Sequence, residues 1–242
     1  MPKTIRSQVS IAYDAIRDQI LSYALLPDAP LSDNQLSKEL DMSRAPIREA
    51  LLLLQMDGLV QTNEKGQICV SPVCYEDISD ILTIRCALEA EAVRMIARGG
   101  WLTPAQENAL RHIHQQYSES ENLSEHYQYD DLFHQQIAQF SGSPRINSIL
   151  SQMRLQMQRA RWLNLVNPQR RENAIEEHRR VLDALCSHDE ATAVQAITEH
   201  LNNSRNTFHA ILTDKQMQTL ATVIHVFISS GGADTDAAAR QS

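Results

Sequence analysis

Residues 43–51, with the sequence SRAPIREAL, constrain the fold of this chain more than any other segment. Ser43 is suited to the cap position of a helix, where its hydroxyl can accept a hydrogen bond from a first-turn amide. Pro46 is tolerated shortly after it, because the first amides of a helix have no helical partner. Arg44 and Arg48 are four residues apart, so they lie on one face. The segment therefore predicts a helix that presents two arginines near its N-terminus.

The opposite face of this helix is apolar, since Ile47, Leu51 and Leu54 follow helical spacing. A recognition helix reads base edges with its N-terminal residues, and the forked guanidinium of arginine suits O6 and N7 of guanine. The alternative is an ordinary amphipathic helix on which Arg44 and Arg48 are merely solvated.

The flanking segments favour the DNA-binding interpretation. A short helix, a two-residue turn and the arginine helix have helix-turn-helix spacing, and a glycine-tipped hairpin follows them. In chain order, the pattern predicts helices over 8–24 and 33–40, a turn at 41–42, the helix from Ser43, a strand starting within 58–61, a hairpin tip at 64–67 and a strand over 68–70. We therefore expect a winged helix-turn-helix domain over residues 1–72.

Charge sets a limit on how this domain can bind DNA. The net charge of the 242-residue chain is −8. Residues 1–72 contain nine Asp and Glu residues against seven basic ones, which are Lys3, Arg6, Arg17, Lys38, Arg44, Arg48 and Lys65. A general electrostatic hold on DNA needs a basic excess. Binding is therefore expected to depend on a local basic face, on direct readout and on pairing of two domains.

Cellular location is predicted from what the sequence lacks. The four cysteines have no CxxC spacing, which favours free thiols in a reducing compartment. No stretch reaches the apolar length of a membrane span, and the N-terminus has no signal-peptide core. A cytoplasmic protein without a membrane partner is expected.

The chain beyond residue 72 has a different pattern. A linker is predicted over 73–76, and apolar residues then recur with helical period to about residue 230. Breaks at 99–100, 142–144, 167–168 and 187–189 divide this region. The pattern predicts a mostly α protein in which residues 77–230 form an antiparallel bundle of six or seven helices. The last helix is expected over 215–229, and the small polar tail 231–242 is expected to be disordered.

Three histidines and one aspartate form a candidate metal site in this bundle. Asp130 and His134 are four residues apart on one predicted helix, and His178 and His200 lie on the apolar stripes of two later helices. Buried imidazoles need hydrogen-bond partners or a metal. This donor set suits Zn²⁺, with Ni²⁺ or Mn²⁺ as alternatives. Because the residues are far apart in sequence, the alternative is a set of hydrogen-bonded core histidines. The remaining histidines are expected at the surface or at helix caps: His112, His114, His126, His188, His209 and His225.

The N-terminal part resembles the DNA-binding domain of the GntR family of bacterial transcription regulators. The resemblance is carried by Leu31, Ser32, Leu36, Leu40, the run 43–51, Leu54, residues 58–60, Gly66 and Val70. It implies that recognition-helix and wing-tip residues contact DNA, namely Ser43, Arg44, Ala45, Arg48, Lys65 and Gly66. One difference is Asn34, which stands where fatty-acid-responsive members carry an arginine.

Residues 76–212 resemble the helical, FCD-type ligand-binding domain of the FadR-type branch of this family. The matching pieces are Arg85-x3-Glu89, Asp130-x2-Phe133-His134, Glu177-His178 and His200-Leu201. The resemblance implies that Asp130, His134, His178 and His200 hold a divalent metal, with a small organic or sugar acid bound beside it. Arg85 is a candidate for contact with the carboxylate of this effector. The alternatives for Arg85 are a salt bridge to Glu89 or a solvated side chain.

These observations predict a metabolite-responsive transcription regulator and not an enzyme. We expect a homodimer that binds a palindromic operator of double-stranded DNA, with a small carboxylate effector altering helix packing near the metal. One alternative is a regulator for which the metal ion itself is the signal. The other is a metal-dependent hydrolase with Glu177 as general base.

Overall fold

The computed structural model describes residues 7–165 and 167–213, and the chain divides between Val73 and Cys74 into two compact units. The first unit contains the helices α1 (Gln8–Leu21), α2 (Asp33–Glu39) and α3 (Arg44–Met56) and the strands β1 (Val60–Thr62) and β2 (Ile68–Val70). The second contains α4 (Tyr75–Arg98), α5 (Pro104–Glu119), α6 (Leu123–Phe140), α7 (Pro144–Leu165), α8 (Pro168–Cys186) and α9 (Glu190–Leu212).

Helix α3 is the centre of the first unit and packs against both α1 and α2. Its predicted apolar stripe, Ile47, Leu51 and Leu54, is fully buried. Ile16 and Ile20 of α1 are buried in the same core. Burial of each side chain of the α3 stripe contributes about 1.5–3 kcal/mol to the stability of the fold. This burial fixes which face of α3 is turned outward.

The turn before α3 has the predicted position but not the predicted capping. Asp41 takes the left-handed conformation, with φ +49°, and Ser43 is the N-cap with extended backbone. The hydroxyl of Ser43 makes no capping hydrogen bond, so that expectation was wrong. A capping hydroxyl accepts from the second or third helical amide, and the third helical residue here is Pro46, which has no N–H.

The wing is a two-stranded antiparallel hairpin in which Val60 pairs with Val70 and Thr62 with Ile68. Its tip is closed by Asn63, whose Oδ1 accepts from the backbone N–H of Gln67 at 2.9 Å. Gly66 has a φ of +74°, a conformation that favours glycine. The predicted winged helix-turn-helix is confirmed.

The described part of the second unit is a bundle of six helices. Helix α9 packs against both α4 and α8, and α5, α6 and α7 complete the bundle. The predicted mostly α fold is therefore confirmed. The helix expected over 215–229 and the tail 231–242 lie outside the described residues.

Two element boundaries differ from the predictions. Helix α4 begins at Tyr75, so half of the predicted linker 73–76 is helical. Glu76 and Asp77 in its first turn are favourable near the positive end of the helix dipole. Helix α1 ends at Leu21 and not at residue 24, because Tyr23 adopts a φ of +59°. Within the described ranges, every helix is too short or too polar to cross a membrane.

Candidate DNA-binding face and metal centre

The outward face of α3 presents the two predicted arginines. The side chain of Arg44 is 49% exposed and that of Arg48 is 61% exposed. The other predicted DNA-contacting residues are exposed as well: Ser43, Ala45, Lys65 and Gly66. The structure therefore leaves all six residues accessible to a partner.

Sequence reasoning missed a contact between this face and α2. Asp33 Oδ2 accepts hydrogen bonds from Nη2 of Arg44 at 2.9 Å and from Nε of Arg48 at 2.6 Å. These hydrogen bonds hold the pKa of the Asp33 carboxyl below its usual value. No spacing rule connects residue 33 with residues 44 and 48, since the contact depends on how two helices cross.

In the second unit, the four predicted metal ligands come together from three helices. Helix α6 supplies Asp130 and His134, α8 supplies His178, and α9 supplies His200. One ligand atom from each residue lies within 4.8 Å of the other three. The two Nε2···Nε2 distances, from His200 to His134 and to His178, are 3.2 and 3.3 Å. A tetrahedral ion with bonds of about 2.0–2.1 Å separates its ligand atoms by about 3.3–3.4 Å, so the donor set fits Zn²⁺.

Two buried glutamates determine which imidazole nitrogens face each other. Glu89 Oε2 accepts from Nδ1 of His134 at 2.6 Å, and Glu177 Oε2 accepts from Nδ1 of His200 at 2.7 Å. A neutral imidazole that carries its proton on Nδ1 turns the lone pair of Nε2 toward the facing ring. Two lone pairs 3.2 Å apart repel each other unless a proton or a metal ion lies between them. The cluster therefore has the chemistry of a cation site.

Each of these glutamates is also held by a buried arginine. Arg85 Nη2 lies 2.7 Å from Glu89 Oε1, and Arg170 Nη1 lies 2.9 Å from Glu177 Oε2. Burial raises the pKa of the Glu89 carboxyl, but Arg85 and His134 outweigh burial, and the pKa lies well below its usual value. The balance at Glu177 has the same sign, with His200 and Arg170 outweighing burial. Both glutamates are thus ionised acceptors.

Burial also affects the protonation of His178 and His200. His178 is fully buried, and burial together with the neighbouring imidazoles lowers its pKa far below 6.5. Burial lowers the pKa of His200 as well, against the opposing hydrogen bond to Glu177. Neutral imidazole is the form that binds metals. His178 stacks on Phe133 with ring centroids 4.3 Å apart, which fixes its plane.

A partly open cavity lies against this cluster. Three of the candidate ligands line it, namely Asp130, His134 and His200. Arg85 and Arg170 line it too. Arg85 therefore forms the salt bridge to Glu89 that was one alternative, and it also faces the cavity. Sequence reasoning missed Arg170, because an arginine in a polar stretch of α8 gives no sign of burial. The Nη2 of Arg170 donates to Ser204 Oγ at 2.9 Å.

The expectation for one neighbouring residue was wrong, and the candidate base of the hydrolase alternative is engaged by other side chains. His126, predicted at the surface, is buried, and its Nδ1 lies 2.7 Å from Ser120 Oγ. Glu177, the candidate base of the hydrolase alternative, is occupied by His200, Arg170 and Asn203. It therefore orients other side chains and is not placed to activate water.

Comparison with known families matches both halves of the chain. Residues 8–70 match bacterial regulatory proteins of the gntR family, and residues 80–203 match the FCD domain.

Comparison with known proteins points to regulators. An HTH-type transcriptional regulator encoded in an unstable DNA locus of Streptomyces ambofaciens is 30% identical over 190 residues, which cover 78% of this chain and 80% of that protein. YdhC, an HTH-type transcriptional regulator of Bacillus subtilis, is 26% identical over 79% of this chain and 86% of its own length. The transcriptional repressor RspR of Escherichia coli is 26% identical over 78% of this chain and 83% of its own.

Solved structures agree on the fold. Escherichia coli McbR/YncC superposes with a TM-score of 0.68 at 23% identity, covering 85% of this chain and 99% of that one. A GntR regulator from Rhodococcus sp. RHA1 superposes with a TM-score of 0.67 at 20% identity, with the same coverage.

Proposed function

Since this chain belongs to the gntR family of bacterial regulatory proteins and carries an FCD domain, we propose that it is a metabolite-responsive regulator that binds a palindromic operator as a homodimer. It is a transcriptional regulator and not an enzyme. As a DNA-binding regulator it acts in the cytoplasm. Its DNA-binding face is the outward side of α3 with the wing tip, and its sensing site is the metal cluster with the adjoining cavity.

The exposed arginines of α3 support the DNA-binding part of this proposal. The buried stripe Ile47, Leu51 and Leu54 holds α3 to its own domain, which leaves Arg44 and Arg48 as the groups that enter the major groove. Lys65 and Gly66 at the exposed wing tip approach the minor groove beside it. A homodimer places two such faces on the two half-sites of a palindrome.

The facing Nε2 atoms of His134 and His200 carry the sensing part of the proposal. Asp130, His134, His178 and His200 would hold Zn²⁺, or else Ni²⁺ or Mn²⁺. A bound divalent ion would supply positive charge beside the cavity, and this charge would attract an anion. Glu89 and Glu177 orient two of the ligand rings, while Phe133 fixes a third.

The effector that we propose for this cavity is a small organic or sugar acid. Arg85 and Arg170 provide buried guanidinium groups for a carboxylate. Ser204, another lining residue, offers a hydroxyl for the polar groups of a hydroxy acid or sugar acid. The acid can change operator affinity only as far as it binds the DNA-binding and the non-binding states of the protein with different affinities. We propose that the acid weakens operator binding and so relieves repression.

The second candidate is a regulator that responds to the metal itself, because the four protein ligands are sufficient to close a tetrahedral site. Operator affinity measured with and without a chelator separates the two functions. Under our proposal the metal-free protein keeps its operator affinity in the absence of effector. A large change on chelation alone would favour the metal-sensing function.

The decisive experiment selects the operator from random duplex DNA with the purified protein and then compares variants on the selected sequence. Arg48→Ala should lose operator affinity about tenfold or more, since a bidentate contact with guanine is worth about 1–3 kcal/mol. Arg94→Ala, which removes an arginine of α4 outside the DNA-binding unit, is the matched control. Equal binding by both variants would refute the role of α3.

A further inference from the structure

Asp33, the first residue of α2, lies among the arginines of the α3 face. Its Oδ2 atom accepts from Arg44 at 2.9 Å and from Arg48 at 2.6 Å, so one carboxylate oxygen joins two guanidinium groups. The Asp33 side chain is 22% exposed, less than either arginine. It therefore lies beneath the outer ends of the two side chains and ties them to α2.

The atoms used in the contact with Arg48 matter for recognition. Asp33 takes the Nε–H of this exposed side chain and not the outer end of the guanidinium, which carries Nη1 and Nη2. That end is a pair of parallel donors that matches O6 and N7 of guanine. A mobile arginine loses rotamer freedom when it binds, whereas one already held by a carboxylate loses less.

The same contact weakens general attraction to DNA. Asp33 adds a negative charge to the face proposed to approach DNA and partly neutralises two positive charges. The charge balance of residues 1–72, with more acidic than basic residues, agrees with a domain that does not depend on a strong non-specific hold.

We propose that Asp33 is a specificity-determining residue, which orients Arg44 and Arg48 for base recognition and lowers affinity for DNA of any other sequence. The inference rests on the proposed function, in which α3 enters the major groove. Asp33 acts through the arginines and contacts no base itself, so it is a positioning residue.

The test compares Asp33→Asn with Asp41→Asn in the full-length protein. Asp41 is exposed in the turn between α2 and α3, and Asn tolerates its left-handed backbone, so this control removes the same charge. Fluorescence anisotropy gives the dissociation constants for the duplex selected by the wild type and for a scrambled duplex of equal composition, over a series of salt concentrations.

Asp33→Asn should bind the scrambled duplex more tightly, with a salt dependence steeper by about one charge. Its ratio of selected to scrambled affinity should fall about fivefold or more, because the bidentate contact is no longer prearranged. Asp41→Asn should preserve this ratio. Melting temperatures of both variants check that the fold is intact.

An unchanged ratio in Asp33→Asn, with both affinities raised as in Asp41→Asn, would overturn the proposal and show that Asp33 acts only as a charge. Failure of the proposed function gives a different result. In that case the wild type selects no sequence, or Arg48→Ala binds the selected duplex as the wild type does, and the inference about Asp33 falls with it.

Discussion

Glu89 Oε2 lies 2.6 Å from Nδ1 of His134, and both side chains are buried. Because the carboxylate only accepts, it places the proton of the imidazole on Nδ1 and leaves Nε2 free to face the centre of the cluster. Glu177 stands in the same relation to His200 at 2.7 Å. Metal affinity should therefore depend on two residues that are not themselves candidate ligands.

Glu89→Gln should reduce the affinity for Zn²⁺ about 10- to 100-fold, since the amide no longer supplies a charged acceptor to His134. Competition with a chromophoric chelator measures the dissociation constant, and circular dichroism checks the helical content. Glu107→Gln is the matched control, because Glu107 belongs to an exposed ion pair with Arg111. Equal Zn²⁺ affinity in the two variants would show that Glu89 does not orient the ligand.

Elemental analysis of the purified protein should find about one divalent ion per chain. Removal of the ion should lower the melting temperature, since a ligand at 100 times its dissociation constant stabilises the folded state by about 2.7 kcal/mol. His178→Ala should abolish the effect of Zn²⁺ on the melting temperature, whereas His112→Ala, which removes an exposed imidazole, should preserve it. Protein that is metal-free and cannot be reconstituted would remove the metal from the proposed function.

Acid should destabilise the metal-free protein at a pH where most carboxylates are still ionised. Burial lowers the pKa of His178 and His200 in the folded state, whereas in the unfolded chain they take up protons near pH 6.5. The unfolded state then binds more protons, so the free energy of unfolding falls as the pH drops below about 6.5. Each histidine contributes at most about 1.4 kcal/mol per pH unit. Urea unfolding at pH 7.5 and 5.5 in the presence of a chelator measures this loss.

A variant separates this effect from general acid sensitivity. His178→Asn should flatten the dependence of stability on pH between 7.5 and 5.5, because one buried imidazole is gone. His112→Gln, at an exposed position, should leave the slope unchanged. The same slope in all three proteins would mean that His178 is not kept neutral by burial.

A thermal-shift screen of organic and sugar acids on the Zn²⁺-loaded protein should identify stabilising acids. Arg85→Lys and Arg170→Lys should each weaken binding of such an acid about tenfold, because lysine keeps the charge but cannot form two parallel hydrogen bonds. Arg94→Lys is the control, since Arg94 lies outside the cavity lining, in a partly exposed pair with Glu91. Unchanged affinity in both cavity variants would exclude these arginines from effector binding.

Local sequence determined the architecture of both units. The apolar stripe of α3, the turn at Asp41 and the glycine-tipped wing are each set by residues within a few positions of one another, and so is the pairing of Asp130 with His134. Helical spacing relates such neighbours directly. The missing cap of Ser43 is also a local effect, because Pro46 has no amide hydrogen to donate to its hydroxyl.

Contacts between residues that are far apart in the chain depend on how the helices pack. The sequence offered His178 and His200 as inward-facing residues, but the arrangement of the helices in the bundle brings them to His134. Helix packing also brings Glu89 and Glu177 to the ligand histidines and buries Arg170 and His126. It places Asp33 against Arg44 and Arg48 in the same way. Periodicity gives the direction of a side chain from its own helix, whereas its partners depend on how separate helices cross, and that is set by the packing of the whole core.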